Sequence, residues 1–213
     1  MESNVLLAVP VGGMIEPETS LAIAKMTRHP LITYISVKGS PIDQVRNDLV
    51  RIFLKNPQFT HLMMMDSDVV PPDGIVDMLL GCDSAMATGI VPICLKGAIV
   101  SNVVVKAVGD TEIFMTDWRD RDEPFEVIGA GAGCIMIKRD VFKAIRWPWF
   151  KHVEKRKAGD RIGEDIYFSR KAAKHGYRYK ANPKALCDHI KKMGLLKIVK
   201  GFNLTDEIRN GNG

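Results

Sequence analysis

The stretch His61-Leu62-Met63-Met64-Met65-Asp66-Ser67-Asp68-Val69-Val70-Pro71-Pro72 decides how the chain is read. Its apolar run is short enough for a buried strand, and it ends in two carboxylates and a Pro-Pro pair that no central strand continues through. In open α/β sheets ligands bind beyond the carboxyl ends of the strands, so acids at such a tip face a crevice rather than a core. The tip is therefore the expected metal and substrate centre. On an extended strand Asp66 and Asp68 point to one face with Cα atoms ~6.6 Å apart. That is too wide for both to chelate one ion well, so one would bind Mg²⁺ or Mn²⁺ and the other act through water or a sugar hydroxyl, unless the strand end curls.

Towards the N-terminus, Asn4 to Val9 is a short apolar run closed by Pro10-Val11-Gly12-Gly13, as expected of a first strand feeding a tight loop. The loop lacks the Gly-Lys-Ser/Thr ending of a phosphate-binding loop and the three-glycine dinucleotide fingerprint. Residues 17–28 read as a helix opened by Pro17, and residues 31–37 as a second strand. Ser40-Pro41 reads as a cap and first helical position, after which Val45, Leu49, Ile52 and Phe53 form a buried stripe. Strand, helix, strand, helix, strand over the first seventy residues argues for an α/β sheet with largely parallel strands.

Towards the C-terminus, a helix is expected from Pro72-Asp73-Gly74 to about Gly81, and a strand from Ser84 to Val91. The middle, from about Lys96 to Val127, is less regular and reads as loops over a site. Gly129-Ala130-Gly131-Ala132-Gly133 runs into a strand ending near Ile137, with glycines at alternate positions that permit close approach of backbone or ligand. A charged loop from Lys151 to Arg161 leads to Gly163-Glu164-Asp165 and a helix over residues 166–174, followed by a last strand at 177–181 and then by Asp188-His189.

With 213 residues, nearly half of them hydrophobic, the chain can bury one substantial core. A net charge of +5 and a pI near 9.0 favour anionic ligands without selecting one. Cys82, Cys94, Cys134 and Cys187 are widely spaced, with no Cys-x-x-Cys pair, and are expected as buried thiols in a reducing compartment. No stretch approaches ~20 apolar residues and no leader is evident, which gives a cytoplasmic expectation with peripheral membrane contact left open.

An Asp-x-Asp tripeptide is cheap: sixteen aspartates in this chain produce about one by chance, and a second copy, Asp120-Arg121-Asp122, reads as a solvated turn. Context distinguishes the first copy. Together with Val9-Pro10-Val11-Gly12-Gly13, Arg46-Asn47, the Gly131-to-Ile137 strand, Gly163-Glu164-Asp165 and the late His189, it resembles the GT-A-fold glycosyltransferases with a DxD motif, most similar to family 2 of the nucleotide-sugar-dependent enzymes. The resemblance spans about residues 4–190. It implies a Rossmann-like three-layer α/β sandwich, with a mostly parallel central sheet and helices on both faces. Residues 1–190 would be one catalytic domain and residues 191–213 a basic, apolar tail.

The implied activity is metal-dependent transfer of a sugar from a UDP- or GDP-sugar to an acceptor hydroxyl. The resemblance makes Asp68 the direct ligand of Mn²⁺ or Mg²⁺, Asp66 a contact to the ribose or to a metal-bound water, and His189 a third ligand. Pro10, Val11, Gly12, Asp43, Arg46 and Ser67 would contact the donor, and Asp165 would be the base of an inverting reaction, with Glu164 as alternative base or acceptor binder. Gly131, Ala132, Gly133 and Trp118 would approach acceptor or sugar, although Trp118, Trp147 and Trp149 equally suit anchoring of loops. The Lys151-to-Arg161 loop either closes over the diphosphate or is a plain solvated loop. A glycan or lipid-linked acceptor is favoured over nucleic acid, because the basic residues are not interleaved with aromatics. Two other classes remain open: a nucleotide- or polyanion-binding module of the same fold without catalysis, and a nucleotidyltransferase.

Overall fold

The structure is a computed structural model that describes residues 3–95, 98–108, 111–154 and 161–192. The first half alternates as read: β1 (Val5–Val11), α1 (Pro17–Met26), β2 (Ile32–Lys38), α2 (Ile42–Lys55) and β3 (His61–Met65). After β4 (Val69–Val70), α3 (Ile75–Leu80) and β5 (Met86–Ile90) come six strands, β6 (Pro92–Leu95), β7 (Ala98–Ser101), β8 (Val103–Val108), β9 (Thr111–Phe114), β10 (Phe125–Val127) and β11 (Gly129–Ala130), of which β7 to β10 fall in the region from about Lys96 to Val127 read as loops. Then follow β12 (Cys134–Lys138), α4 (Arg139–Ala144), β13 (Val153–Glu154), β14 (Arg161–Ile162), α5 (Glu164–Ala173), β15 (Tyr179–Leu186) and β16 (Asp188–His189).

The central sheet has seven strands in the order β10-β15-β5-β12-β3-β1-β2. Strands β2, β1 and β3 are mutually parallel, as are β5 and β15, but β12 runs antiparallel to both β3 and β5, and β10 antiparallel to β15. The sheet is thus mixed, where alternation along the chain suggested a largely parallel one. The departure serves the site. Because β12 is reversed, it starts at the edge where β3 ends, with Cys134 opposite Met65.

Every residue of β1 and β3 is buried, which explains their unbroken apolar runs: strands covered on both faces do not alternate. Successive side chains go to opposite faces. Leu6, Ala8, Leu62 and Met64 join Val45, Leu49, Val50 and Phe53 of α2, Phe142 of α4 and Phe168 of α5. Val5, Leu7, Val9, Met63 and Met65 join Ile23 of α1 and Ile75, Val76 and Leu79 of α3.

Of the helix stripe expected from Val45, Leu49, Ile52 and Phe53, all but the half-buried Ile52 lie on the buried face of α2, but Pro41 rather than Ser40 occupies the cap position and the first helical residue is Ile42. In the middle region β6 pairs with β7, while β8 pairs with β9 and β11. The β-branched run Val103-Val104-Val105 was the local signal for these strands. The second Asp-x-Asp, at Asp120 and Asp122, is exposed, in keeping with a solvated turn. Cys82, Cys134 and Cys187 are buried free thiols, and Cys94 is exposed. Among the described residues no helix is long and apolar enough to cross a membrane.

Candidate functional site

The extended geometry expected for Asp66-Ser67-Asp68 is not what forms. Asp66 N donates to Gly133 O at 2.9 Å, and Val69 N turns back to Asp66 O at 3.2 Å, so the chain curls as β3 ends and the two carboxylates diverge. Asp66 turns towards α2, where Arg46 Nη2 donates to its Oδ1 at 2.7 Å. Asp68 turns towards β16, whose His189 is opposite Val69 through antiparallel pairing with β4. Ser67 O accepts Glu16 N at 2.9 Å, tying the loop after β1 to the tip. Pro10 and Val11 are buried in β1, and Gly12 and Gly13 are exposed.

Arg46 organises the Asp66 side. Its side chain is 4% exposed and all three nitrogens meet protein acceptors: Nη2 meets Asp66, Nε meets Glu164 Oε1 at 3.2 Å, and Nη1 meets Ala132 O at 3.4 Å. Burial works against the guanidinium's charge, but Asp66 and Glu164 outweigh it and drive its pKa further up. A fork of fixed geometry is what lets one cation hold two carboxylates from different elements. Glu164 is held from its other oxygen by His152 Nε2 at 3.1 Å, and His152 Nδ1 lies 3.8 Å from Asp43 Oδ2. His152 is placed by Asn47, whose Oδ1 accepts Trp149 N and Phe150 N while its Nδ2 donates to Phe150 O.

Asp165 sits one residue further along α5. Its Oδ1 accepts Ile166 N at 2.7 Å, and its Oδ2 faces Gly131, where an added Cβ would lie 3.4 Å away. Burial, and next the charge of Glu164, push its carboxyl up to about 6, against the opposing pull of Arg46 and the Ile166 N–H. The two glycines stand close to neighbouring side chains. A Cβ at Gly163 would come within 2.7 Å of Asp165 Oδ1, and one at Gly131 within 3.2 Å of the Asn102 side chain. Asn102 holds this floor in place: its Nδ2 donates to Gly131 O at 3.2 Å, and its backbone O accepts Gly131 N at 2.8 Å.

On the Asp68 side, His189 Nδ1 donates to Pro92 O at 2.8 Å, which turns Nε2 towards Asp68 Oδ2 at 3.4 Å. Fixing one ring nitrogen on a carbonyl leaves the other available to a metal. Asp68 is held down to about 2, first by His189 and then, against burial, by Lys191, whose Nζ lies 2.5 Å from the same oxygen; His189 is correspondingly raised. A carboxylate oxygen and an imidazole nitrogen this close suit Mn²⁺, which accepts both donor types. Asp66 is turned away on Arg46, and no cluster of three or more His, Cys, Asp or Glu that could hold a metal occurs among the described residues. A cation would therefore take Asp68 and His189 from this chain and its remaining ligands from water and substrate oxygens.

A cavity of about 310 Å³ brings Asp66, Asp165, His189 and Gly131 to Gly133 together, facing Ile93 and Phe114. A larger cleft of about 370 Å³, lined by Val5, Met26 and Val76, lies at the opposite end of the sheet, where β1 begins. The smaller one is the better candidate, because it stands at the carboxyl ends of the strands, where Asp66, Asp165 and His189 converge, whereas the larger cleft carries Lys25, His29 and Asp77 at the other end.

Trp118 is 4% exposed and packs in the core, outside the lining of the acidic cavity. Trp149 is also buried, with Nε1 donating to Phe142 O and Ile145 O, whereas Trp147 is exposed beneath Arg51. Residues 155–160 of the charged loop and residues 193–213 of the tail lie outside the described residues. Sequence reasoning missed His152, Asn102 and Lys191. Lys191 had a signal, since it stands two residues from His189 as Asp68 does from Asp66; the other two are placed by long-range bonds that no local pattern reveals.

The sequence matches no protein-family model and no curated protein. Among solved structures, the chain is similar to A197 from STIV, with a TM-score of 0.64 and 24% identity over 89% of this chain and 86% of that one. It is also similar to GalNAc-T7, crystallised with UDP, GalNAc and Mn²⁺, with a TM-score of 0.57 and 12% identity over 90% of this chain and 44% of that one. At these identities the likeness is one of fold. The chain is a mixed α/β protein with a GT-A-like fold.

Proposed function

We propose that the protein is a glycosyltransferase that moves a sugar from a UDP- or GDP-sugar to an acceptor hydroxyl with inversion, using Mn²⁺ or Mg²⁺. On this reading the chain belongs with the family 2-like DxD enzymes, residues 1–190 are the catalytic domain, and the two buried clusters are the interfaces of a three-layer sandwich. The observation that carries the proposal is the meeting of Asp66, Asp165 and His189 in one cavity at the carboxyl edge of the sheet, with Asp68 beside His189.

Asp68 and His189 would hold the cation, which as a Lewis acid neutralises charge on a departing diphosphate. The acceptor oxygen forms its bond to the anomeric carbon as the bond from that carbon to the diphosphate oxygen breaks, and Asp165 Oδ2 takes the acceptor proton. A carboxyl raised to about 6 is a better proton acceptor near neutrality than an ordinary aspartate, while remaining ionised there. Glu164, gripped by Arg46 and His152, is a positioning group beside that base. Pro10 to Gly12, Asp43 and Ser67 line the donor side; Gly131 to Gly133 give the sugar or acceptor close access to backbone. The favoured acceptor is a glycan or lipid-linked hydroxyl.

The test is a screen of UDP- and GDP-sugars with Mn²⁺ and candidate acceptors, in which wild type transfers sugar and Asp165→Asn loses about a thousandfold or more of turnover with donor affinity retained. Substantial turnover by Asp165→Asn rejects the base. Binding without turnover by wild type would identify a binding module, and pyrophosphate release from a nucleoside triphosphate a nucleotidyltransferase.

A further inference from the structure

One oxygen, Asp68 Oδ2, has two nitrogen partners: His189 Nε2 at 3.4 Å and Lys191 Nζ at 2.5 Å. The lysine is aimed there by its backbone. Residues 188–189 are paired with β4, and Ile190 N donates to Asp68 O at 2.8 Å, so the strap that carries Lys191 is bonded to the very residue its side chain meets. The next residue, Lys192, turns away to Glu16 Oε1 at 3.2 Å. Two adjacent lysines are thus divided between two carboxylates, and only one of them is in contact with the candidate metal ligand.

An ammonium touching a carboxylate oxygen and a divalent ion bound to that oxygen would be like charges in contact, which is strongly unfavourable in a partly desolvated site. Asp68 is 30% exposed and His189 13%, so solvent screens this corner only in part, whereas Lys191, at 54%, is free to swing out. We propose that Lys191 is an internal counter-cation that competes with the divalent metal for Asp68, so that the metal binds only by displacing it. The inference rests on the assignment of Asp68 and His189 to the cation made under the proposed function. It adds a residue that sets the metal affinity from within the chain, lowering it below what Asp68 and His189 would give alone.

The experiment is a Mn²⁺ titration of the full chain, with free ion read from its paramagnetic resonance signal, in wild type, Lys191→Met, Lys191→Arg, Lys192→Met and Asp68→Asn. Circular dichroism confirms that each variant is folded. Lys191→Met should bind Mn²⁺ about fivefold more tightly or better, Lys191→Arg within about twofold of wild type, and Asp68→Asn at least tenfold more weakly. Lys192→Met removes the same charge one residue away and should change affinity by less than about twofold. Unchanged or weaker binding by Lys191→Met overturns the proposal. Equal tightening by both lysine variants also overturns it, since net charge would then explain the effect, and so does absence of Mn²⁺ binding in wild type and Lys191→Met alike. A chain that shows the expected affinities yet transfers no sugar overturns the proposed function and leaves this inference standing.

Discussion

Arg46 and Asp165 show how much of this site is decided by single side chains. Removing the fork with Arg46→Met leaves Glu164, at 10% exposure, and Asp66 without their shared cation, and should destabilise the chain by about 3 kcal/mol in urea unfolding. Arg46→Lys should recover little of that, because one ammonium cannot span two carboxylates and a carbonyl. Asp165 has the opposite character. Its folded pKa, about 6, lies above the ordinary 3.8, so its contribution to stability is fully present below about 3.8 and is lost as pH rises through about 6. Asp165→Asn should therefore melt higher than wild type at pH 7.5, with the gap closing towards pH 4, as read by thermal denaturation. On the proposed mechanism, transfer by wild type should rise with pH through about 6, as Asp165 loses its proton. Asp68, held down to about 2, contributes stability that is present above about 3.8 and is lost as pH falls from there through about 2.

At the scale of elements, α2 joins core and site, and its far end is closed by a residue 85 positions beyond Leu54. Arg139, opening α4, donates from Nη2 to Phe53 O at 2.8 Å and Asn56 O at 2.6 Å, from Nη1 to Leu54 O at 3.3 Å, and from Nε to Phe59 O at 2.8 Å. A cation on the last carbonyls of a helix satisfies orphan acceptors and opposes the dipole. Arg139→Ala should cost about 2–3 kcal/mol by urea unfolding. Because α2 also carries Arg46 and Asn47, the same variant should loosen the His152 segment, read as faster amide exchange at Trp149 and Phe150.

For the whole molecule, the carboxyl edge is where β3, β4, β12, β16 and α5 bring the candidate site residues together, so a ligand bound there would bridge elements from both halves of the chain. Mn²⁺ with a cognate nucleotide sugar at about 100 times its dissociation constant should add about 2.7 kcal/mol to the stability of the native state, seen as a rise in melting temperature that chelator reverses. Much of this plan was legible from the apolar runs and the helical stripe of α2, because burial on both sheet faces leaves its mark directly in composition. The place of Asp66 and Asp68 at the end of β3 was legible from their position after Met65. The resemblance already assigned Asp68 to the metal and Asp66 to an outer contact, but the partners that separate the two carboxylates, Arg46 for Asp66 and His189 and Lys191 for Asp68, follow from the curl between Asp66 and Val69 and were not legible locally. The strands between Pro92 and Phe114 were missed because each is short and interrupted, and their pairing is set by register across the sheet rather than by a period within one run.

Local periodicity and the abrupt stop at Pro71-Pro72 report on single elements, and they sufficed for the buried strands β1 and β3, the place of the acidic tip, and the alternation of strand and helix through the first seventy residues. Assembly of the sheet was needed to show that β12 runs against its neighbours and so brings Gly133 to Asp66, that Arg46 is spent on Asp66 and Glu164, and that Lys191 and His189 share one oxygen of Asp68. The physical reason is distance along the chain. Charges and hydrogen-bonding groups separated by 20 to 123 residues meet only after the sheet is assembled, and their energies depend on the burial that assembly creates.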